Sequence, residues 1–257
     1  MKKIAILLLI MCIFAGCSTT FDEKRQASRP MVGLAMLKLA ENDVEGALFE
    51  LNNARDVNPK DPEVYYGLAL VYSDLGKYNR AVEYCEKAIE YGVKVKKEHP
   101  GIEGEAYNLK GATLFRQGKN EDAIDAFNNA LADDRYRTPE YALKNIGEVY
   151  ISLKDAEKAK GSLESALSYN QHYAPAWEAL SRVYVLKGDR NTAIEALKNA
   201  IIEFPGYTEA HWGLSQLYLK QGLKSEGILH LKEVVKLDKK GPYGQAALKK
   251  LKELGIQ

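Results

Sequence analysis

Residues 174–207 read APAWEALSRVYVLKGDRNTAIEALKNAIIEFPGY. Trp177, Leu180 and Tyr184 follow one another at intervals of three and four, which puts them on one helical face. Ala193, Leu197 and Ala200 repeat the spacing further on. Between the two runs Gly188 supplies the left-handed backbone on which one helix can end and the next begin. Pro205 stops the second run. The small side chains of Ser181, Ala193 and Ala200 let the two helices approach, and Leu197 fills the groove between them. The stretch predicts a helical hairpin.

The same pattern extends in both directions. Small residues recur as Ala47, Ala81, Ala123, Ala159, Ala193 and Gly227, at spacings of 34, 42, 36, 34 and 34. A second small series follows seven residues behind: Ala54, Ala88, Ala130, Ala166, Ala200, closing with Val234. Between them lie bulky residues: Leu51, Cys85, Phe127, Leu163, Leu197 and Leu231. Upstream, Tyr72, Tyr150, Tyr184 and Tyr218 share one position, with Lys38 and Leu114 as exceptions. Four residues beyond it come the turns at Asn42, Gly76, Gly118, Lys154, Gly188 and Gly222. Internal self-similarity at this period marks an array of stacked units.

The pattern resembles the tetratricopeptide repeat, carried best by Trp177, Leu180, Ser181, Tyr184, Gly188, Ala193, Leu197, Ala200 and Pro205. The resemblance implies an all-α fold: a right-handed superhelical solenoid of six repeats with a C-terminal capping helix. The registers are 28–61, 62–95, 104–137, 140–173, 174–207 and 208–241. Residues 96–103 (KKEHPGIE) are inserted after the second repeat, which predicts a longer second helix or a loop there. Thr138 and Pro139 are inserted after the third. Residues 242–257 hold a capping helix with Ala246, Leu248, Leu251 and Leu254 as its apolar stripe and Lys249, Lys250 and Lys252 toward water. A solenoid needs its last apolar face covered.

The N-terminus, MKKIAILLLIMCIFAGCSTT, pairs Lys2 and Lys3 with an apolar run from Ile4 to Phe14. The run is too short for a bilayer span, which takes about 20 residues, and suits a signal peptide. Ala15, Gly16 and Cys17 resemble the lipobox of bacterial lipoproteins, with Phe14 where that family usually has Leu. The resemblance implies cleavage after residue 16, a diacylglycerol on the Cys17 thiol and an acylated amine bearing palmitate. Ser18 beside the lipid implies the outer membrane, at its periplasmic face. Residues 17–27 then read as lipidated Cys and tether. Loss of residues 1–16 removes Lys2 and Lys3 and takes the net charge from +1 to −1. Of the three cysteines, Cys12 leaves with the signal, Cys17 carries lipid, and Cys85 sits among the groove-filling core residues.

Near-zero net charge offers no basic face for nucleic acid. A hydrophobic content of 46% is that of a folded chain. His99, His172, His211 and His230 read as lying in different repeats, and none has a His-x3-His or Cys-x2-Cys partner. Glycine-rich phosphate loops and a G-x-S-x-G elbow are missing from the sequence. Asp133, Asp134, Glu45 and Glu50 read as solvated. The expectation is a protein that is not an enzyme, with no cofactor beyond the covalent lipid on Cys17, no metal and no small-molecule substrate.

In the repeat family the concave face, lined by the first helix of each repeat, binds partners. Carried over, its positions give an apolar set at Val32, Met36, Leu39, Tyr66 and Leu70, expected to stand exposed together. An exposed apolar patch marks a partner site; the other reading is that the first repeat is rotated or the tether covers it. A secondary groove takes in Asn108, Lys144, Glu148, Arg182, Trp212 and Gln216. Trp212 serves there as an anchor or packs against the capping helix. A lipoprotein of six such repeats resembles the pilotin family of type IV pilus biogenesis. That resemblance implies binding an outer-membrane secretin and assisting its localisation, stability or multimer assembly. The alternative is a scaffold or adaptor lipoprotein for outer-membrane barrel assembly or peptidoglycan synthesis.

Overall fold

The computed structural model describes residues 21–95 and 99–256. The signal peptide read at 1–16, the lipid site at Cys17 and part of the insertion after the second repeat lie outside them. Two compact units divide the chain between Leu109 and Lys110. The first holds α1 (Phe21–Ala40), α2 (Val44–Val57), α3 (Pro62–Asp74), α4 (Tyr78–Lys94) and the first half of α5 (Ile102–Arg116). The second holds the remainder of α5, α6 (Asn120–Ala132), α7 (Pro139–Ser152), α8 (Ala156–Tyr169), α9 (Ala174–Leu186) and α10 (Arg190–Glu203). It ends with α11 (Thr208–Lys220), α12 (Lys224–Leu237) and α13 (Pro242–Glu253). The chain is thus an all-α succession of paired helices closed by one extra helix. Among the described residues no helix is long and apolar enough to cross a membrane.

The turns form where the sequence placed them. Asn42, Gly76, Gly118, Lys154, Gly188 and Gly222 all have φ between 59° and 81°. In each turn the next amide reaches back to a carbonyl five residues earlier. Asp43, Lys77, Lys119, Asp155, Asp189 and Leu223 donate to Lys38, Tyr72, Leu114, Tyr150, Tyr184 and Tyr218 at 2.8–3.0 Å. This Schellman geometry satisfies carbonyls that a helix end leaves open. The following helix is often capped by an aspartate: Asp43, Asp155 and Asp189 accept from the amides of Gly46, Lys158 and Thr192 at 2.9–3.1 Å.

Packing follows the small and bulky series. Ala47, Ala81, Ala123, Ala159 and Ala193 are fully buried, as are Ala54, Ala88, Ala130, Ala166 and Ala200. Leu51, Cys85, Phe127, Leu163, Leu197 and Leu231 are buried with them. Leu51, Phe127, Leu163 and Leu197 lie against glycines of a neighbouring helix. A methyl group placed on Gly147 would come 2.7 Å from Leu163 Cγ, and one on Gly111 2.6 Å from Phe127 Cε1. Leu51 meets Gly67 and Leu197 meets Gly213 across the junction to the next pair. One bulky position thus packs on its own hairpin in some repeats and on the following one in others.

Two expectations change and one is met. The segment read as a tether is helical from Phe21 onward, and Ser28 is fully buried. The insertion does lengthen the preceding helix: α4 has 17 residues against 14 in α2 and 13 in α6. In α13 the buried face is Gly244, Ala247 and Leu251, with Tyr243 and Leu254 beside it; Ala246 and Leu248 are only half-buried. The stripe therefore begins one position away from the one the apolar letters suggested.

Candidate functional site

In the first unit the five apolar groove residues do not stand out from the surface. Val32 is a core residue, 8% exposed. Met36, Leu39 and Tyr66 are half-buried and packed against that core, and Leu70 is half-buried. Met36 Cε fills the space beside Gly67, 2.9 Å from where a Cβ would stand. The reason is the orientation of α1, which turns Val32 and Ala35 inward and leaves Leu34 and Leu37 exposed. Lys38, which replaces the tyrosine of other repeats, pairs with Glu50 at 3.2 Å, so Glu50 is not the solvated group expected. Asn108 is half-buried.

The same unit contains a buried polar network absent from the sequence reading. Asp61 caps α3 by accepting from the Glu63 amide at 3.0 Å. Its other oxygen accepts from Ser28 Oγ of α1 at 2.8 Å and from Asn58 Nδ2 at 3.4 Å. His99, from the insertion, sets Nδ1 2.8 Å from Glu63 Oε1 and Nε2 3.8 Å from Asp61 Oδ1. Arg25 Nη2 stands 3.9 Å from Glu63. The hydrogen bond from His99, helped by the charges of His99, Arg25 and Arg29, holds the Glu63 carboxyl below its ordinary value against the effect of burial. Asp61, Glu63 and His99 offer atoms close enough to hold a metal ion. The two imidazole nitrogens, however, face different carboxylates, and a guanidinium stands by. That is the arrangement of an imidazole bridging two acids. The one local signal in the sequence is Asp61-Pro62-Glu63, an N-cap followed by proline at the first helical position.

In the second unit α7, α9, α11 and α13 pack in succession. Equivalent positions on these helices therefore become neighbours, and they bring together Lys144, Glu148 and Arg182 of the secondary groove. Lys144 Nζ lies 3.1 Å from Glu148 Oε1. Arg182 Nη2 also bonds Glu148, and its Nε lies 3.1 Å from Glu178 Oε1. Burial would raise the Glu148 carboxyl, but the Arg182 hydrogen bond and the charge of Lys144 overcome it. Glu178 moves the other way: burial and the Glu148 charge raise it despite Arg182. Tyr173 and Tyr207 stand immediately before α9 and α11, and burial raises both hydroxyl groups. Their recurrence at the last position of two successive repeats is legible in the sequence. Tyr141 meets Tyr173 edge-on, with centroids 5.0 Å apart. Trp212 lies 6.1 Å from the Tyr243 ring and packs against the core under α13. Gln216 is half-buried, bonded to Ser215 Oγ at 3.2 Å.

His211 and His230, expected in different repeats, meet within one hairpin, Nδ1 to Nδ1 at 2.9 Å. His211 Nε2 also faces the Pro205 carbonyl at 3.0 Å, and Tyr218 stacks on His230 with centroids 5.7 Å apart. Burial and the neighbouring His211 lower the His230 imidazole to about 4.

The fold has counterparts among known proteins. PilW, a widely conserved type IV pilus biogenesis factor, superposes with a TM-score of 0.70 at 21% identity, over 87% of this chain and 99% of PilW. The pilF protein of Pseudomonas aeruginosa gives 0.67 at 17% identity, over 90% and 99%. Hsp70-Hsp90 organizing protein 1 of Arabidopsis thaliana is 32% identical over 128 residues, 48% of this chain. The match takes in about a fifth of that relative's length. Family models described as tetratricopeptide repeat match residues 61–136, 108–177 and 184–251. Together they take in more than half of the 257 residues, and the chain belongs to the tetratricopeptide-repeat family.

Proposed function

We propose that the chain is a lipid-anchored tetratricopeptide-repeat binding protein that assists an outer-membrane secretin of type IV pilus biogenesis. The single observation that carries this reading is coverage. PilW and pilF each match over 99% of their own length, whereas the Arabidopsis relative matches over about a fifth of its own. The lipobox-like Ala15-Gly16-Cys17 supports the anchored half of the reading. An anchor of several acyl chains holds a domain on a membrane nearly permanently. A repeat surface held there raises the local concentration of bound subunits and so favours their assembly.

The test is a deletion strain. Secretin should remain monomeric on gels run without boiling, with pili lost; normal heat-stable rings would sink the proposal. Cys17→Ala should move the protein out of the membrane fraction, and continued sedimentation with outer membrane would remove the anchor. Capture of a barrel-assembly or peptidoglycan-synthesis enzyme in place of a secretin would favour the adaptor reading instead.

A further inference from the structure

We infer that the last hairpin and the closing helix form a lysine face that docks on an anionic bilayer, its ammonium groups meeting the phosphates of acidic lipids. Residues 208–257 carry nine lysines and no arginine, against Glu209, Glu226, Glu233, Asp238 and Glu253. Residues 1–207 carry 27 basic groups against 30 acidic, and the preceding repeat, 174–207, is balanced at four against four. The surplus therefore belongs to this end of the chain. Two of its acids are already taken: Glu233 pairs with Lys236 at 2.8 Å and Glu253 with Lys250 at 3.1 Å. Asp238 accepts from the amides of Tyr243 and Gly244 at 3.0 and 3.1 Å, at the start of α13. Lys224, Lys232, Lys239, Lys240, Lys249 and Lys252 are exposed and have no acidic partner among the described residues.

These lysines gather around two packed helices. Ile228 and Val235 of α12 join Ala247 and Leu251 of α13 in a single apolar cluster. Lys224 and Lys232 stand four residues either side of Ile228 and so border that seam. Helix α13 turns Gly244, Ala247 and Leu251 inward, which leaves Lys249 and Lys252 on its outer side. Lys239 and Lys240 lie in the connection between the two helices. Helix-end electrostatics do not explain the set. Lys224 opens α12, where the dipole disfavours a cation, and Lys232 and Lys249 lie outside the last turns. Lysine is a flexible point charge, whereas fixed recognition of a single anion favours arginine's planar fork. An all-lysine surplus spread over two helices and their connection therefore suits the smeared charge of a bilayer. Leu229, 65% exposed and one turn from Lys232, adds an apolar side chain that a headgroup layer can take up.

The inference goes beyond the secretin reading, and vesicles contain no secretin, so either can fail while the other holds. The full chain carrying Cys17→Ala, which removes any acyl chain, is sedimented with vesicles of phosphatidylcholine and of an equal mixture with phosphatidylglycerol. It should bind the mixture more tightly, and the difference should shrink at high salt. Lys232→Gln, Lys249→Gln and Lys252→Gln together should weaken binding to the mixture at least about tenfold, with the melting temperature unchanged. Lys60→Gln, Lys119→Gln and Lys154→Gln, the same loss of charge on exposed lysines elsewhere, should leave it as it was. The N-terminal segment is common to all these chains, so the comparison isolates the lysine face. Equal binding to both vesicle types, no loss in the first triple variant, or an equal loss in the second would each overturn the inference. Binding of poly-glutamate by a chain that ignores the mixed vesicles would also overturn it, in favour of an acidic protein segment.

Discussion

The backbone amide of Asp155 donates to the carbonyl of Tyr150 at 2.9 Å, closing a turn whose left-handed residue is Lys154, at φ 59°. Four of the six equivalent turns use glycine. A side chain in this conformation costs about 1–2 kcal/mol. Lys154→Gly is therefore expected to raise stability by about 0.5–1 kcal/mol after the added freedom of the unfolded chain is deducted. Gly188→Ala should lower it by about 1 kcal/mol. Urea midpoints at constant slope check both, and the same sign for both substitutions would contradict the argument.

Gly147 admits Leu163 at a distance that leaves no room for a methyl group. Gly147→Ala should cost about 1–3 kcal/mol by overpacking. Leu163→Ala alone should cost about 2–5 kcal/mol. Because the two changes act on one gap, the double variant should be more stable than the sum by at least about 0.5 kcal/mol. Additive values in a thermal or urea series would show that the backbone relaxes around the alanine.

Asp61 is buried and accepts from Ser28, Asn58 and the Glu63 amide. Asp61→Ala removes a cap and strands two donors, and is expected to cost about 2–4 kcal/mol. Glu63 adds an acid dependence. Its folded-state value lies below its ordinary 4.5, so the stabilisation is complete above the unfolded value and disappears as pH falls through the folded one. Glu63→Gln should flatten the acid side of a stability–pH curve; an unchanged acid limb would detach Glu63 from it.

His230 supplies a second pH dependence. Its folded value of about 4 lies below the ordinary 6.5, so between these values the unfolded chain binds a proton that the folded chain refuses. Stability should therefore fall as pH drops from 6.5 toward 4, by about 2 kcal/mol once the partial exposure of the ring is discounted. His230→Phe should shrink that slope. A slope equal to that of the unsubstituted protein would assign it to other groups.

The helix pairs were legible because each rests on local chemistry: a small residue, a bulky one four positions further on, and a left-handed turn. Ala193, Leu197 and Gly188 announce their roles without knowledge of the rest of the chain. The first-unit groove was not legible, because whether Val32 faces out depends on how α1 is rotated, and the helix begins earlier than its polar composition suggests. The Asp61 network was hidden for another reason. Its partners Ser28 and His99 come from α1 and from an insertion that breaks the repeat period. His211 and His230 were separated by position in the sequence, yet a hairpin brings residues on its two helices side by side.

The glycine–leucine pairs that hold the hairpins together join residues sixteen apart in the chain: Leu51 with Gly67, Gly147 with Leu163, Leu197 with Gly213. Closing so short a loop costs little entropy, and chains dominated by near neighbours cross their folding barrier quickly. Each hairpin can therefore find its packing as soon as it and its neighbour are available, without waiting for distant segments. For this chain the order of folding can follow the order of delivery, from the N-terminal end onward.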